Sequence, residues 1–142
     1  MIVLFLFTMF SGCFHMSLTG KPYRLTINFT AYSFINQGIL LPIDIITSKN
    51  STFILEMGPD DWFKNNRKRN AFSNEIQHIA IAGGEKEKVF VYLENDIEYV
   101  IIYADYNEVS ERCLQEVVIM PQRFRLNYEI IIKKNKMELW NE

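Results

Sequence analysis

FRLNYEIII, residues Phe124–Ile132, is the longest clean alternation in the chain. Phe124, Leu126, Tyr128, Ile130 and Ile132 fall on one side, and Arg125, Asn127 and Glu129 on the other. A period of two belongs to a strand, whose successive side chains point to opposite faces. The segment therefore predicts a β-strand with one face turned to a core and the other to water. The same reading extends outward. A turn at Lys134-Asn135 leads to a last strand, Met137–Trp140, and a short strand, Val117–Met120, is ended by Pro121. Ile97–Tyr106 is apolar on both faces around Val100, Ile101, Ile102, Tyr103 and Ala104, which predicts a central strand covered on both sides. Val89, Val91 and Leu93 alternate with Phe90 and Tyr92, and Ile76–Ile81 runs up to Gly83-Gly84, where a hairpin needing positive φ is expected.

Toward the N-terminus, Leu25, Ile27 and Phe29 share one face and Arg24, Thr26, Asn28 and Thr30 the other. Leu40–Thr47 follows as a second apolar stretch, and Pro42 implies that this strand begins there or lies at an edge. Seven or eight strands with small turns between them predict an all-β fold, an antiparallel β-sandwich. One stretch, about 51–70, breaks the pattern. It lacks alternation and holds Gly58-Pro59-Asp60-Asp61, with Pro suited to a first helical turn and early acids to the positive end of a helix dipole. A helical insertion of one or two short helices is expected. Its basic run, Lys64–Arg69, is explained as a solvated helix end, with anionic lipid headgroups as the competing reading.

The N-terminus carries a different message. Ile2–Phe10 (IVLFLFTMF) holds no charge, and Ser11-Gly12 leads into Cys13. An apolar export segment followed by small residues and a cysteine is how a bacterial lipoprotein signal ends. Residues 1–12 would be removed, and Cys13 would take diacylglycerol on its sulfur and an acyl chain on its new amino group. Each buried CH₂ contributes about 0.8 kcal/mol, so several chains hold firmly. Two alternatives stand beside this: an N-terminal strand with an incidental Cys, and a cleaved secretory peptide with Asn28 and Asn50 as glycosylation sequons. This nine-residue uncharged run falls well short of the ~20 apolar residues that span a bilayer. Residues 13–22 form the lipidated Cys and tether, of which Phe14–Pro22 reaches about 30 Å fully extended. Residues 23–142 are expected to form a single sandwich domain with the helical insertion.

The formal net charge of −2 lacks the basic excess of a nucleic-acid binder. Cys113 is the other cysteine, expected to be a small, semi-buried apolar residue, so no disulfide forms if Cys13 is acylated. His15 lies in the tether, and His78 lies in a strand without a second ligand at metal spacing, which predicts a partly buried, hydrogen-bonded role. No nucleophile elbow, phosphate-binding glycine loop or Cys–His pair is present, and Asp60-Asp61 and Glu108/Glu111 are solvated acids. An enzyme is not expected, nor a cofactor or metal.

Taken in order, these features resemble the outer-membrane lipoproteins of type VI secretion systems, the TssJ-type family: the lipobox Cys13, the strand LTINFTA (Leu25–Ala31), a loop and a second apolar strand, a helical insertion at Phe53–Arg69, the hairpin EKVFVYLENDIEYVIIYADY (Glu87–Tyr106), and a C-terminal strand pair. The resemblance covers nearly the whole mature chain. It departs where Asn107 follows Tyr106 in place of Arg, and in a first loop without Asn/Pro-rich composition.

The resemblance implies a transthyretin-like sandwich with a small helical insertion, anchored by lipid on the periplasmic face of the outer membrane. It implies a structural part of a type VI secretion membrane complex. The loop between the first two strands would contact the periplasmic domain of a large inner-membrane secretion-system protein. The matching segment is Ala31–Leu41, with Tyr32, Ser33, Phe34, Ile35, Asn36 and Gln37 as the contact residues. Its large apolar side chains suit an interface anchor, and the alternative is that Phe34 and Ile35 fold back to cap the sandwich. The competing function is a lipid-anchored binding module for a small ligand, peptide or glycan, which aromatics on one sheet face would favour.

Overall fold

The computed structural model describes residues 21–49, 56–72, 75–107 and 111–140. Eight strands run through them: β1 Tyr23–Ala31, β2 Leu41–Ser48, β3 Ile76–Ile81, β4 Lys86–Leu93, β5 Tyr99–Ala104, β6 Glu116–Ile119, β7 Asn127–Ile132 and β8 Met137–Trp140. They form two four-stranded sheets, in the orders β4-β1-β7-β8 and β3-β2-β5-β6. The sandwich architecture expected from alternation is the observed one.

Its inner faces are the alternating residues. Leu25, Ile27 and Phe29 of β1, Val89, Val91 and Leu93 of β4, and Tyr128, Ile130 and Ile132 of β7 meet Ile43 and Ile45 of β2, Val100 and Ile102 of β5, and Val117 and Ile119 of β6. Burial of such side chains is worth about 1.5–3 kcal/mol each before entropy is counted, which is the driving force for closing the two sheets. β5 is central, as its apolar sequence demands. Strand β2 starts at Leu41 with Pro42 as its second residue, opposite Ala80, in a strand that lies between β3 and β5 rather than at a sheet edge.

Two sequence expectations are corrected. The sandwich is not wholly antiparallel: β1 pairs antiparallel with β4 and parallel with β7, with Thr26 opposite Asn127 and Ala31 opposite Ile132. Parallel neighbours need no local connection, so no turn in the sequence announces them. Gly83-Gly84 is also not a hairpin within one sheet, because β3 and β4 belong to different sheets. The turn is a corner that carries the chain across the sandwich. Gly84 has φ +81°, while Gly83 is required for another reason: a Cβ there would collide with the Ser33 carbonyl oxygen.

The insertion forms α1 Pro59–Lys64 and α2 Asn66–Ala71, and a further short helix, α3 Arg112–Gln115, precedes β6. Pro59 opens α1 with Asp60 and Asp61 in the first turn. Asn65 caps α2, its side chain accepting from the Lys68 amide at 3.2 Å. The pair lies over the outer face of the second sheet, where Ile46, Met57, Trp62, Ile101 and Tyr103 make a second buried cluster. Strand β5 is apolar on both faces because Val100 and Ile102 face the sandwich and Ile101 and Tyr103 face the insertion.

Candidate functional site

Loop 32–40 carries the chain from the first sheet to the second, and its backbone is tied on every side. The Tyr32 amide donates to Ile132 O at 2.9 Å, Tyr32 O accepts from the Gly84 amide at 2.9 Å, and the Asn36 amide donates to Lys134 O at 3.1 Å. Asn36, Gln37 and Gly38 all have positive φ (41°, 58° and 81°). That is ordinary for Gly, tolerated by Asn and costly for Gln, so surrounding contacts must hold it. Asn36 supplies them. Its Nδ2 donates to Leu40 O at 3.2 Å, and its Oδ1 accepts from the Asn107 amide at 2.8 Å. With both ends of its amide used, Asn36 is 3% exposed.

The six residues expected to contact a partner thus separate into two groups. Ile35 and Asn36 are buried: Ile35 packs in the main core, and Asn36 pins the loop to its neighbours. They hold the loop rather than face outward. Tyr32, Ser33, Phe34 and Gln37 are exposed. Tyr32 (54%) and Phe34 (56%) are joined by two residues outside that group, Ile39 and Leu40 (both 55%). One tip therefore presents four large apolar side chains on a fixed backbone. A ring carbon of Phe34 lies 3.7 Å from where a Gly38 side chain would begin, so Gly38 also leaves room for the ring. Both Ile39 and Leu40 lie within the matched segment Ala31–Leu41 but outside the six expected contact residues, and Leu40 also opens the apolar stretch Leu40–Thr47.

The setting is basic at close range. Lys133 and Lys136 both pair with Glu138. Hydrogen bonding to Glu138 holds the Lys133 ammonium above its usual range, with a smaller contribution from Tyr32. Tyr106, whose hydroxyl donates to Lys133 O at 3.2 Å, supports the same turn, and burial raises its pKa.

Other predicted positions fall as follows. Cys13 lies outside the described residues. Cys113 is exposed, against expectation, because α3 turns it outward while Gln115 is buried. His78 is hydrogen-bonded as expected, but more than half exposed: its Nδ1 lies 2.6 Å from Asp44 Oδ1. Asp44 is 1% exposed and also accepts from Trp62 Nε1 at 2.7 Å and Arg69 Nη2 at 3.0 Å. Arg69, the last cation of the basic run, is thus an internal tie and not a headgroup contact. Trp62 is fully buried.

The first sheet's outer face carries Phe90 and Tyr92 on β4 and Trp140 on β8. These are opposite edge strands, roughly 14 Å apart at ~4.8 Å per strand spacing. The aromatics do not converge, and Phe90 is covered in part by Arg24, 4.5 Å from its ring centre. A shallow depression of about 340 Å³ beside Trp140 is lined mainly by Asn28, Arg125, Asn127 and Glu129. Among the described residues, no group of three His, Cys, Asp or Glu side chains could hold a metal.

No protein-family model matches the sequence, and no curated protein matches it. Solved structures do. Lip of Serratia marcescens, a membrane-bound component of the type VI secretion system, superimposes with TM-score 0.71 at 13% identity, over 86% of this chain and 99% of that one. The type VI lipoprotein TssJ1 of Pseudomonas aeruginosa gives 0.70 at 14% identity, over 86% and 98%. A chain in a structure described as the T6SS protein TssM C-terminal domain (869-1107) from EAEC gives 0.69 at 15% identity, over 84% and 98%. The resemblance found in the sequence is therefore met in three dimensions: at low identity, this chain has the β-sandwich fold of the type VI secretion lipoproteins.

Proposed function

We propose that this protein is a divergent, lipid-anchored structural component of a type VI secretion membrane complex, joining an inner-membrane partner to the outer membrane. The observation that carries the reading is the apolar tip of Tyr32, Phe34, Ile39 and Leu40 on a backbone pinned by Asn36. Exposed aromatic and aliphatic side chains on a preorganised loop suit a protein interface, since little entropy is lost when the loop docks. The partner is the periplasmic domain of a large inner-membrane secretion-system protein. A chain of this fold occurs in a structure described as the TssM C-terminal domain, which supports that choice. Cys13 supplies attachment on the periplasmic face of the outer membrane, and catalysis has no part in the role.

The binding-module alternative is less well supported, because the exposed aromatics of the first sheet sit on opposite edges. The test is a photoreactive amino acid placed at Phe34 in the producing cell. It is expected to trap the large inner-membrane protein, while the same group at Tyr92 is not. Equal trapping from both positions, or none from Phe34, overturns the assignment.

A further inference from the structure

The opposite end of the sandwich carries a second apolar tip. The connection from β6 to β7 closes in a tight turn, with the Arg125 amide donating to Gln122 O at 3.0 Å. Phe124 stands at the apex, 88% exposed, the largest exposure among the large apolar residues described. Met120 is 68% exposed and Leu126 42%. No inward packing explains Phe124, although it begins the longest alternation in the chain.

Arg123 fixes where this tip lies. Its guanidinium donates to Lys21 O at 3.3 Å and to Asn95 Oδ1 at 2.7 Å, and sits 4.9 Å from the Tyr23 ring centre. The tip therefore adjoins the point where the chain enters β1. Eight residue steps separate Cys13 from Lys21, at most about 28 Å of extended chain. The charge next to the apolar residues is positive, from Lys21, Arg123 and Arg125. Glu94 and Asp96, on the β4–β5 turn that Arg123 reaches through Asn95, are paired with Lys49 at 3.8 and 2.6 Å. Apolar side chains flanked by Arg and Lys are what a membrane interface accepts: the former enter the acyl boundary and the latter meet anionic headgroups.

We infer that the end of the sandwich bearing Met120, Phe124 and Leu126 rests on the lipid surface into which Cys13 is inserted. Strand β1 then points the domain away from that surface. Its nine residues span about 26 Å at ~3.3 Å per step, which sets loop 32–40 at the far end. The inference rests on the acylation of Cys13.

The test uses the full chain, purified from membranes and placed in phosphatidylethanolamine–phosphatidylglycerol vesicles containing nitroxide-bearing lipid. In a Cys113→Ser background, Phe124→Cys and Phe34→Cys carry the same environment-sensitive fluorophore, and metabolic fatty-acid labelling reports the anchor. The expected result is acyl label on both proteins, loss of most fluorescence at 124, and little loss at 34. Acyl label with equal, weak quenching at both positions overturns the docked end and leaves the anchor standing. Crosslinking between two fluorophore-free copies through position 124, without quenching, assigns the tip to a second copy and overturns it too. Absence of acyl label refutes anchor and docked end together.

Discussion

Trp62 Nε1 donates a 2.7 Å hydrogen bond to Oδ2 of Asp44, a contact between the helical insertion and the middle of a sheet. Asp44 projects from β2 toward the insertion, with His78 beside it on β3 and Tyr103 on β5. The Trp62 ring packs at a tilt against two others, its centre 5.9 Å from that of Tyr103 and 6.2 Å from that of Phe72. The carboxylate is buried and survives because three side chains donate to it, two of them able to carry positive charge. Tyr103 secures the same region by donating to Met57 O at 2.7 Å.

Removing either side of this tie should loosen the insertion. Trp62→Ala is expected to cost about 3–5 kcal/mol, as a fully buried aromatic does. Arg69→Met should cost about 1–3 kcal/mol, since His78 and Trp62 still serve the carboxylate. Arg67→Ala, two residues away on the exposed side, should stay within about 0.5 kcal/mol of wild type. Urea denaturation of the three variants checks the ranking, and equal values for Arg67 and Arg69 would contradict it.

Much of this was legible in the chain, and the reasons for the rest are physical. Strands with one buried face, such as β1, β4 and β7, write a period of two into the sequence, while β2 and β5, covered on both sides, were located as continuous apolar runs. The β1–β7 pair was not legible, because a parallel pairing across about a hundred residues is set by closure of the sandwich. Asp44 did leave a signal, a lone carboxylate within the apolar run Leu41–Thr47. Its donors lie 18, 25 and 34 residues on, beyond any local pattern. In loop 32–40 composition marked the apolar side chains, but only the fold separates buried Ile35 from exposed Phe34.

The sandwich itself is tested on opposite faces of one strand. Ile130 is fully buried, and Ile130→Asp leaves an unpaired charge in the core. That domain should not fold, whereas Glu129→Asp on the outer face should melt near wild type. Circular dichroism read against temperature distinguishes the two.

Alkali should unfold the protein cooperatively. Burial raises the Tyr103 and Tyr106 pKa values above the ordinary 10.0, with Glu116 adding to the shift at Tyr103. A raised folded-state pKa gives stability that is fully present below pH ~10 and lost as pH rises through the folded-state value. These two phenols should ionise together with loss of the β-sheet signal. Ultraviolet difference absorbance alongside circular dichroism checks this, and full ionisation of the tyrosines with the fold intact would contradict it.

Gly83→Ala should damage the loop without touching its surface. The new Cβ meets the Ser33 carbonyl oxygen, so either the corner turn or loop 32–40 must move. We expect a lower melting temperature and weaker partner binding together, measured on the same preparation. A change in binding alone would mean that position 83 is itself a contact.

The central claim is that loop 32–40 is the docking element, with Ile35 and Asn36 inside and Tyr32, Phe34, Ile39 and Leu40 outside. The most direct measurement is the affinity of the inner-membrane partner's periplasmic domain for two variants, with melting temperatures in parallel. Tyr32→Ala with Phe34→Ala is predicted to lose at least about 2 kcal/mol of binding, over tenfold in Kd, at an unchanged melting temperature. Ile35→Ala is predicted to lose about 2–5 kcal/mol of stability. Wild-type affinity in the double variant at an unchanged melting temperature would contradict the account and place the interface elsewhere on the domain.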